Sequence, residues 1–387
     1  MQAEHVSSPA RERAAEMSGD PSAVEGPLEG YHHETYVIPL PAEVAGAHPG
    51  RGKCREPRSD LLWFDRRCFA SEETLLSALQ GRITGIPELI EVADGVRLQR
   101  FVEGRTLGSL YRSGHEVPDS IAAQILDLFR QLARVGPGSL DVERQCRPED
   151  RSAEGDTAGF LERLVCFAEE RVYRENLERF PGLFASLGLD DDCFTRLRRH
   201  VAGLRERPFC LLHADLHREN FVVDLQGRLW TIDWELAMVG DPLYDLATHL
   251  HLMRYPKAQH DLMAKRWCEV MEEERSGSTE GWEEDLPRLL DFKRAQSVFT
   301  DVVRATQVLD ARPDSAGPVG EQEAVRLRQV LAAAARPLGL DTVPTPGEVM
   351  SSLSRWRPPG ALSRGVTTAS VARRTHAGGA PGRPRST

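Results

Sequence analysis

The chain has 387 residues, 40% of them hydrophobic and 28% charged, with a formal net charge of −10. That length allows two domains or one two-lobed unit with a sizeable core, and the composition is ordinary for a globular protein. The negative balance argues against wholesale binding to nucleic-acid phosphates, and no apolar run is long enough to span a membrane. The N-terminal MQAEHVSSPARERAAEMSGD lacks the apolar core of a secretory signal. The seven cysteines are odd in number and scattered, with no CxxC pair, which predicts reduced thiols in a cytoplasm. Basic residues are almost all Arg; the lysines are Lys53, Lys257, Lys265 and Lys293.

Residues 1–30 are polar, small and dotted with Pro and Gly, and read as a disordered segment. YVIPL (Tyr36–Leu40) predicts a short strand, with Pro39 suggesting a sheet edge. One or two strands are expected around Leu61–Phe64. SEETLLSALQG then reads as a compact helix, N-capped by Ser71 and ended at Gly81. IPELIEV and VRLQRFV read as two strands joined at Asp94-Gly95. Helical periodicity follows in IAAQILDLFRQLARV, GFLERLVCFAEERVYRENLERF and CFTRLRRHVAGLRE. FCLLHAD predicts a strand entering a loop, and FVVD-LQG-RLWTID a hairpin turning at Gly227. The remainder is helical up to a Gly-, Ser-, Arg- and Pro-rich end. This order predicts a two-lobed α+β fold, not the alternating pattern of a parallel α/β sheet. The expected division is an N-lobe over residues 31–102, a helical C-lobe over 103–345 and a mostly disordered basic tail over 346–387.

CLLHADLHRENFVVD (Cys210–Asp224) carries the chemistry. Asn220 precedes the first hairpin strand and Asp233 ends the second, so the hairpin brings them side by side. Two oxygen donors there suit Mg²⁺, which takes few protein ligands and fills its shell with phosphate and water. Asp215 sits in the preceding loop as a base or orienting group, in the H-x-D-x-x-x-x-N pattern of phosphoryl-transfer enzymes. Lys53, the sole lysine before this loop, is the candidate cation for the nucleotide phosphates. Glu72 is its expected helical partner, with Glu73 the alternate. Leu75, Leu76 and Leu79 form the buried face of that helix.

HADLHREN and TIDWELAMVGDPLYDLATHL resemble the aminoglycoside phosphotransferase family, which includes choline-kinase-like and other small-molecule kinases and shares the protein-kinase-like fold. The resemblance spans about Tyr31 to Leu340 and is concentrated in Leu212–Leu250. It implies Asp215 as the base for the substrate hydroxyl, Asn220 and Asp233 as Mg²⁺ ligands, and Lys53, paired with Glu72, on the phosphates. It further implies an inter-lobe hinge at Arg100, Phe101 and Val102 meeting the adenine of ATP (or GTP). Asp245 would brace the catalytic loop and His213 would hold its shape. The acceptor would be a small-molecule hydroxyl: an aminoglycoside-like antibiotic, an amino-alcohol or a sugar metabolite. The acidic stretch EVMEEERSGSTEGWEEDL suggests a rim for a cationic one. Asp233-Trp234-Glu235 stands where protein kinases have DFG, with no APE-like signal after it, which argues against a protein substrate. No G-x-G-x-x-G phosphate loop is present; VAGAHPGRGK offers only glycines near the right place.

Two other readings compete. A metal-dependent hydrolase would use His213, Asp215 and His217 with His249-x-His251, but the second pair falls in a predicted helix, where residues two apart diverge. A non-catalytic nucleotide-binding module would need a lost key group, whereas the base, both metal ligands and a lysine are all present.

Overall fold

The computed structural model describes residues 8–28, 30, 33–40, 50–58, 66–93, 96–310 and 318–356. It departs from expectation at its first element. Where a disordered segment was expected, PARERAAEMS forms helix α1 (Pro9–Ser18), N-capped by Ser8 and closed by Gly19 at φ 70°. Ala10 and Ala14, one turn apart, are its buried residues. Strand β1 (Glu25–Leu28) follows.

Strands β2 (His33–Pro39), β3 (Arg51–Pro57), β4 (Leu89–Ala93) and β5 (Val96–Arg100) complete an antiparallel sheet in the order β1-β2-β3-β5-β4. β2 is therefore internal, not the edge that Pro39 suggested. The register explains the tolerance: β1 pairs no further than Val37, so Pro39 lies past that ladder and its missing N–H disrupts nothing on that side. Period-two alternation gives the sheet two unlike faces. Tyr36, Ile38, Leu40, Cys54, Ile90 and Leu98 gather with Ala10 and Ala14 in a small core. Lys53 and Arg55 face the other way, into a cleft. The strands expected around Leu61–Phe64, the Asp94-Gly95 turn and most of VAGAHPGRGK lie outside the described residues.

Helix α2 (Glu72–Leu79) is the predicted one. The Ser71 hydroxyl accepts from Thr74 N, and Leu75, Leu76 and Leu79 are buried. Those leucines join the large core of the helical part, not the small core of the sheet. The helix thus couples the two lobes mechanically.

The helical part contains α3 (Asp119–Ala133), α4 (Thr157–Phe167), α5 (Cys193–His200), α6 (Pro242–Met253), α7 (Lys257–Glu274), α8 (Trp282–Asp310), α9 (Pro318–Leu338) and α10 (Pro346–Arg355). α10 shortens the expected tail: Thr345 and Glu348 form a capping box, and Val349 and Leu353 are buried. Residues from 357 onward lie outside the described residues. Short strands are set among these helices. β6 (Arg105–Thr106), β8 (Phe221–Val223) and β9 (Leu229–Thr231) make one sheet; β7 (Cys210–Leu212) pairs with β10 (Met238–Gly240) in another.

A buried ion network anchors this β segment. Arg207 has no exposed side-chain surface; it bonds Asp241 bidentately, Asp285 at 2.8 Å and the Glu280 carbonyl at 2.6 Å. Asp241 also caps α6 through Leu243 N. One arginine thereby ties the approach to β7 to the starts of α6 and α8. Gly240 must be glycine, because a Cβ there would run into the Phe160 ring. Among the described residues no helix is long and apolar enough to cross a membrane.

Candidate active site

The β8–β9 hairpin turns as its sequence demands. Gly227 sits at φ +77°, and Asp224 N donates to the Arg228 carbonyl. Phe221 pairs with Thr231, and Ile232 N donates to the Asn220 carbonyl at 2.9 Å. The ladder therefore reaches the residue before β8, and Asn220 and Asp233 emerge at the same end. Ala214 and Asp233 both hold left-handed backbone, at φ 65° and 66°. Non-glycine residues seldom occupy this region, and doing so costs roughly 1–2 kcal/mol each.

The loop between β7 and β8 is fixed from several sides. Asp245, on α6 and wholly buried, accepts from His213 N at 3.1 Å and Ala214 N at 2.8 Å. His213 Nε2 donates to the Ile232 carbonyl at 3.2 Å, and its ring meets Trp234 edge-on at 4.7 Å. Burial drops the His213 pKa to about 4, so the ring is neutral at neutral pH. Arg218, also buried, donates to the carbonyls of Met253, Tyr111 and His115. Asp215 projects from this frame. Asn220 Nδ2 donates to its Oδ2 at 3.0 Å and to its backbone carbonyl at 2.9 Å. His217 Nε2 lies 3.3 Å from the same carboxylate. Burial opposes charge on His217, but the Asp215 carboxylate outweighs it and the pKa is raised.

The facing wall comes from β3 and α2, and here one expected pairing is corrected. Glu72 does not form a salt bridge with Lys53 among the described residues; its carboxylate is held by Arg55, two residues along the same strand face. Trp234 N also donates to Glu72 at 2.9 Å, which joins α2 to the turn carrying Asp233. Burial alone would raise the Glu72 pKa, yet Arg55 and Lys53 hold it below the ordinary value. Burial drives the Lys53 pKa down, with the Arg55 charge adding to it. Glu73, the alternate acid, takes a hydrogen bond from the Ser71 hydroxyl at the start of its own helix. Arg55 reaches further, to Asp233 at 3.5 Å and Glu235 at 3.3 Å, and Arg67 meets Glu235 at 2.9 Å. Asp233 is pushed up to about 6 by burial and the Glu72 charge, against Arg55.

Between the walls lies a cleft of about 920 Å³ lined by Lys53, Arg55, Asp215, Asn220 and Asp233. Arg100, Phe101 and Val102 border it too. The sheet already uses two of their amides: Arg100 N donates to the Glu88 carbonyl and Phe101 N to that of Arg51, both at 2.7 Å. That leaves the Val102 amide as the open donor of the three among the described residues. Asn220 and Asp233 fit a hard divalent cation. Both offer oxygen, and with Asn220 Nδ2 engaged on Asp215, its amide oxygen stays available.

The zinc-type reading does not survive. His249 lies within α6, fully buried, bonded to the Leu216 carbonyl at 3.1 Å and Tyr255 Oη at 3.0 Å. Among the described residues no group of three or more His, Cys, Asp and Glu side chains could hold a metal ion. The acidic stretch at the α7–α8 junction is engaged elsewhere. Glu272 caps the turn at Gly277, Glu274 bonds Arg134 and Asp285 bonds Arg207; none of them lines the cleft. The arginine roles were missed by sequence reasoning. The arginine bias and the alternation Arg51, Lys53, Arg55 were the available signals for Arg55; Arg207 precedes the motif and Arg218 lies within it, neither with a local mark of its role.

A small antiparallel sheet beside a larger helical lobe, with a loop carrying Asp215 in the cleft, is the α+β architecture of kinase-like phosphotransferases. The chain belongs to the phosphotransferase enzyme family, whose model matches residues 72–283, more than half of its length. Similar solved structures include the macrolide 2′-phosphotransferase of Brachybacterium faecium, at 16% identity over 84% of this chain and 94% of that one, TM-score 0.47. Others are a putative aminoglycoside phosphotransferase of Ralstonia eutropha (14%, 87% and 93%, 0.47) and the choline kinase of Streptococcus pneumoniae (17%, 80% and 93%, 0.42). No curated protein sequence matches the chain.

Proposed function

We propose that the chain moves the γ-phosphoryl group of ATP or GTP to a hydroxyl of a small molecule. The observation that carries this reading is the convergence of Asp215, Asn220 and Asp233 on one wall of a single cleft, opposite Lys53. Asp215 takes the acceptor proton as the new O–P bond forms and the bond from the γ-phosphorus to its bridging oxygen breaks, releasing ADP or GDP. Asn220 steadies the Asp215 carboxylate and, with Asp233, offers oxygens to Mg²⁺. When bound, Mg²⁺ supplies charge neutralisation to the phosphate oxygens. Lys53 faces the phosphates, and Arg55 holds Glu72 and leans toward Asp233 and Glu235, so the β3 cations divide the work that one lysine was expected to do. The Val102 amide is the base-edge contact. Chemistry of this kind is mostly positioning and charge stabilisation.

Asp215→Ala should lower turnover by about 10²- to 10⁴-fold, the usual contribution of a general base. Calorimetry should find Mg·ATP affinity retained in the same variant. Unchanged turnover would remove Asp215 from the mechanism.

A further inference from the structure

Beside Asp215, away from β3, a second cavity of about 160 Å³ opens between α6 and α8. Helix α8 turns one stripe toward it: Lys293, Ser297, Thr300 and Arg304 recur at steps of four, three and four. Arg66 also lines it. Against these three cations, Asp215 is the sole carboxylate among the described residues that line it.

The charge at Lys293 is only partly met internally: it acts on the buried Asp245 carboxylate without forming a salt bridge to it. Its ammonium donates to Tyr244 Oη at 3.2 Å and Gln296 Oε1 at 3.0 Å, both neutral, and stands 5.0 Å from the Tyr244 ring centre. It forms no salt bridge among the described residues. The α8 carboxylates on either side of it in sequence are committed elsewhere, Asp291 to His200 and Arg294 and Asp301 to Arg326. His251 reports the local field: burial, then Lys293, Arg254 and Arg294, drive its pKa to about 3, so it adds no charge of its own.

We propose, resting on the phosphotransfer reading above, that the acceptor is a hydroxyl compound bearing a carboxylate or phosphate, seated with its hydroxyl at Asp215 and its anionic group at Lys293. An amine in this cavity would meet the Lys293 ammonium, with Asp215 as the carboxylate among the described lining residues. The cationic acceptor suggested by the acidic stretch finds no lining for it here, because those acids lie elsewhere.

The test uses the purified full chain with Mg·ATP and a coupled assay for ADP. Glycerate and malate represent hydroxycarboxylates, glycerol 3-phosphate a phosphate-bearing alcohol, glycerol a neutral one, and ethanolamine, choline and kanamycin the amines. The expected result is turnover with the anionic set, the carboxylate and phosphate arms showing which anion is preferred. Lys293→Met should raise KM for that acceptor about 10- to 100-fold, the range of a charge-assisted hydrogen bond, and by more than it lowers kcat. Lys293→Arg should recover most of that loss. Turnover confined to amines or glycerol, or an unchanged KM in Lys293→Met, overturns the charge assignment while leaving phosphotransfer standing. No turnover with any acceptor overturns the phosphotransfer reading, and this inference with it. If Lys293→Met fails to fold, the comparison of acceptors by the wild-type chain still decides.

Discussion

Asp245→Asn tests whether a side chain on the following helix holds the catalytic loop in its working shape. The Asp245 carboxylate accepts two backbone hydrogen bonds, from His213 N at 3.1 Å and Ala214 N at 2.8 Å, at a site 1% exposed. Bonds to a charged acceptor contribute about 1.5–3 kcal/mol each. Ala214 meanwhile sits at φ 65°, which costs an L-residue roughly 1–2 kcal/mol. The two bonds exceed the strain, so the loop stays in place. Asparagine has one oxygen, and its amide would confront the second N–H donor to donor. Losing one bond removes most of the margin, and the competent loop becomes a minority state. At 1.4 kcal/mol per factor of ten, kcat should fall about 10- to 100-fold, with Mg·ATP affinity retained. Ala214→Gly supplies the internal control, since glycine adopts positive φ without penalty. In the Asp245→Asn background it should return about 5- to 30-fold in kcat, the equivalent of one to two kcal/mol. In the wild-type background it should change kcat little, because the loop is already held. The assay is acceptor-dependent ADP release at saturating Mg·ATP, with calorimetric melting of each variant to separate loop geometry from global stability. A folded Asp245→Asn enzyme with unchanged kcat would refute the argument. So would an Ala214→Gly change that restores nothing.

Two further outcomes concern stability. His249 has a pKa of about 3 against an ordinary 6.5, caused first by burial, with the Leu216 carbonyl pulling the other way. The folded state therefore binds fewer protons than the unfolded chain below pH 6.5. This contribution is complete above that pH and is lost as pH falls toward 3, amounting to about 2 kcal/mol between pH 7 and 5. His249→Gln should make the stability loss between those two pH values smaller by that amount in urea titrations; equal losses in both proteins would contradict the assignment. Arg207→Met strands the Asp241 and Asp285 carboxylates in the interior, and should cost about 3–5 kcal/mol of unfolding free energy by the same method. A loss below 1 kcal/mol would mean that the network does not hold the β segment to α6 and α8.

What could be read in advance divides by the range of the interaction involved. The β8–β9 hairpin was legible because its turn chemistry and strand alternation are local, and a hairpin dictates which residues share an end. That is why Asn220 and Asp233 could be brought together from spacing alone. The α2 helix was legible for the same reason, with Ser71 capping it and three leucines on one face. The failures are tertiary. Composition made the first 30 residues look free, yet Ala10 and Ala14 needed only the apolar outer face of the sheet to dock, and nothing near them in sequence announces that face. The Lys53–Glu72 pairing failed through a misplaced inference from scarcity. Because lysines are few, the single one in the N-lobe was given the ion pair, although the strand sets Arg55 on the same face, closer to Glu72. A guanidinium can bond Glu72 with one nitrogen and lean toward Asp233 and Glu235 with the other, which an ammonium on a single stem does less well. An arginine in that position takes the ion pair with Glu72, and Lys53, still in the field of that acid, turns its charge, weakened by burial, to the cleft. The arginine-rich composition, used in the sequence only to single out Lys53, thus also decides how the cleft distributes its positive charge.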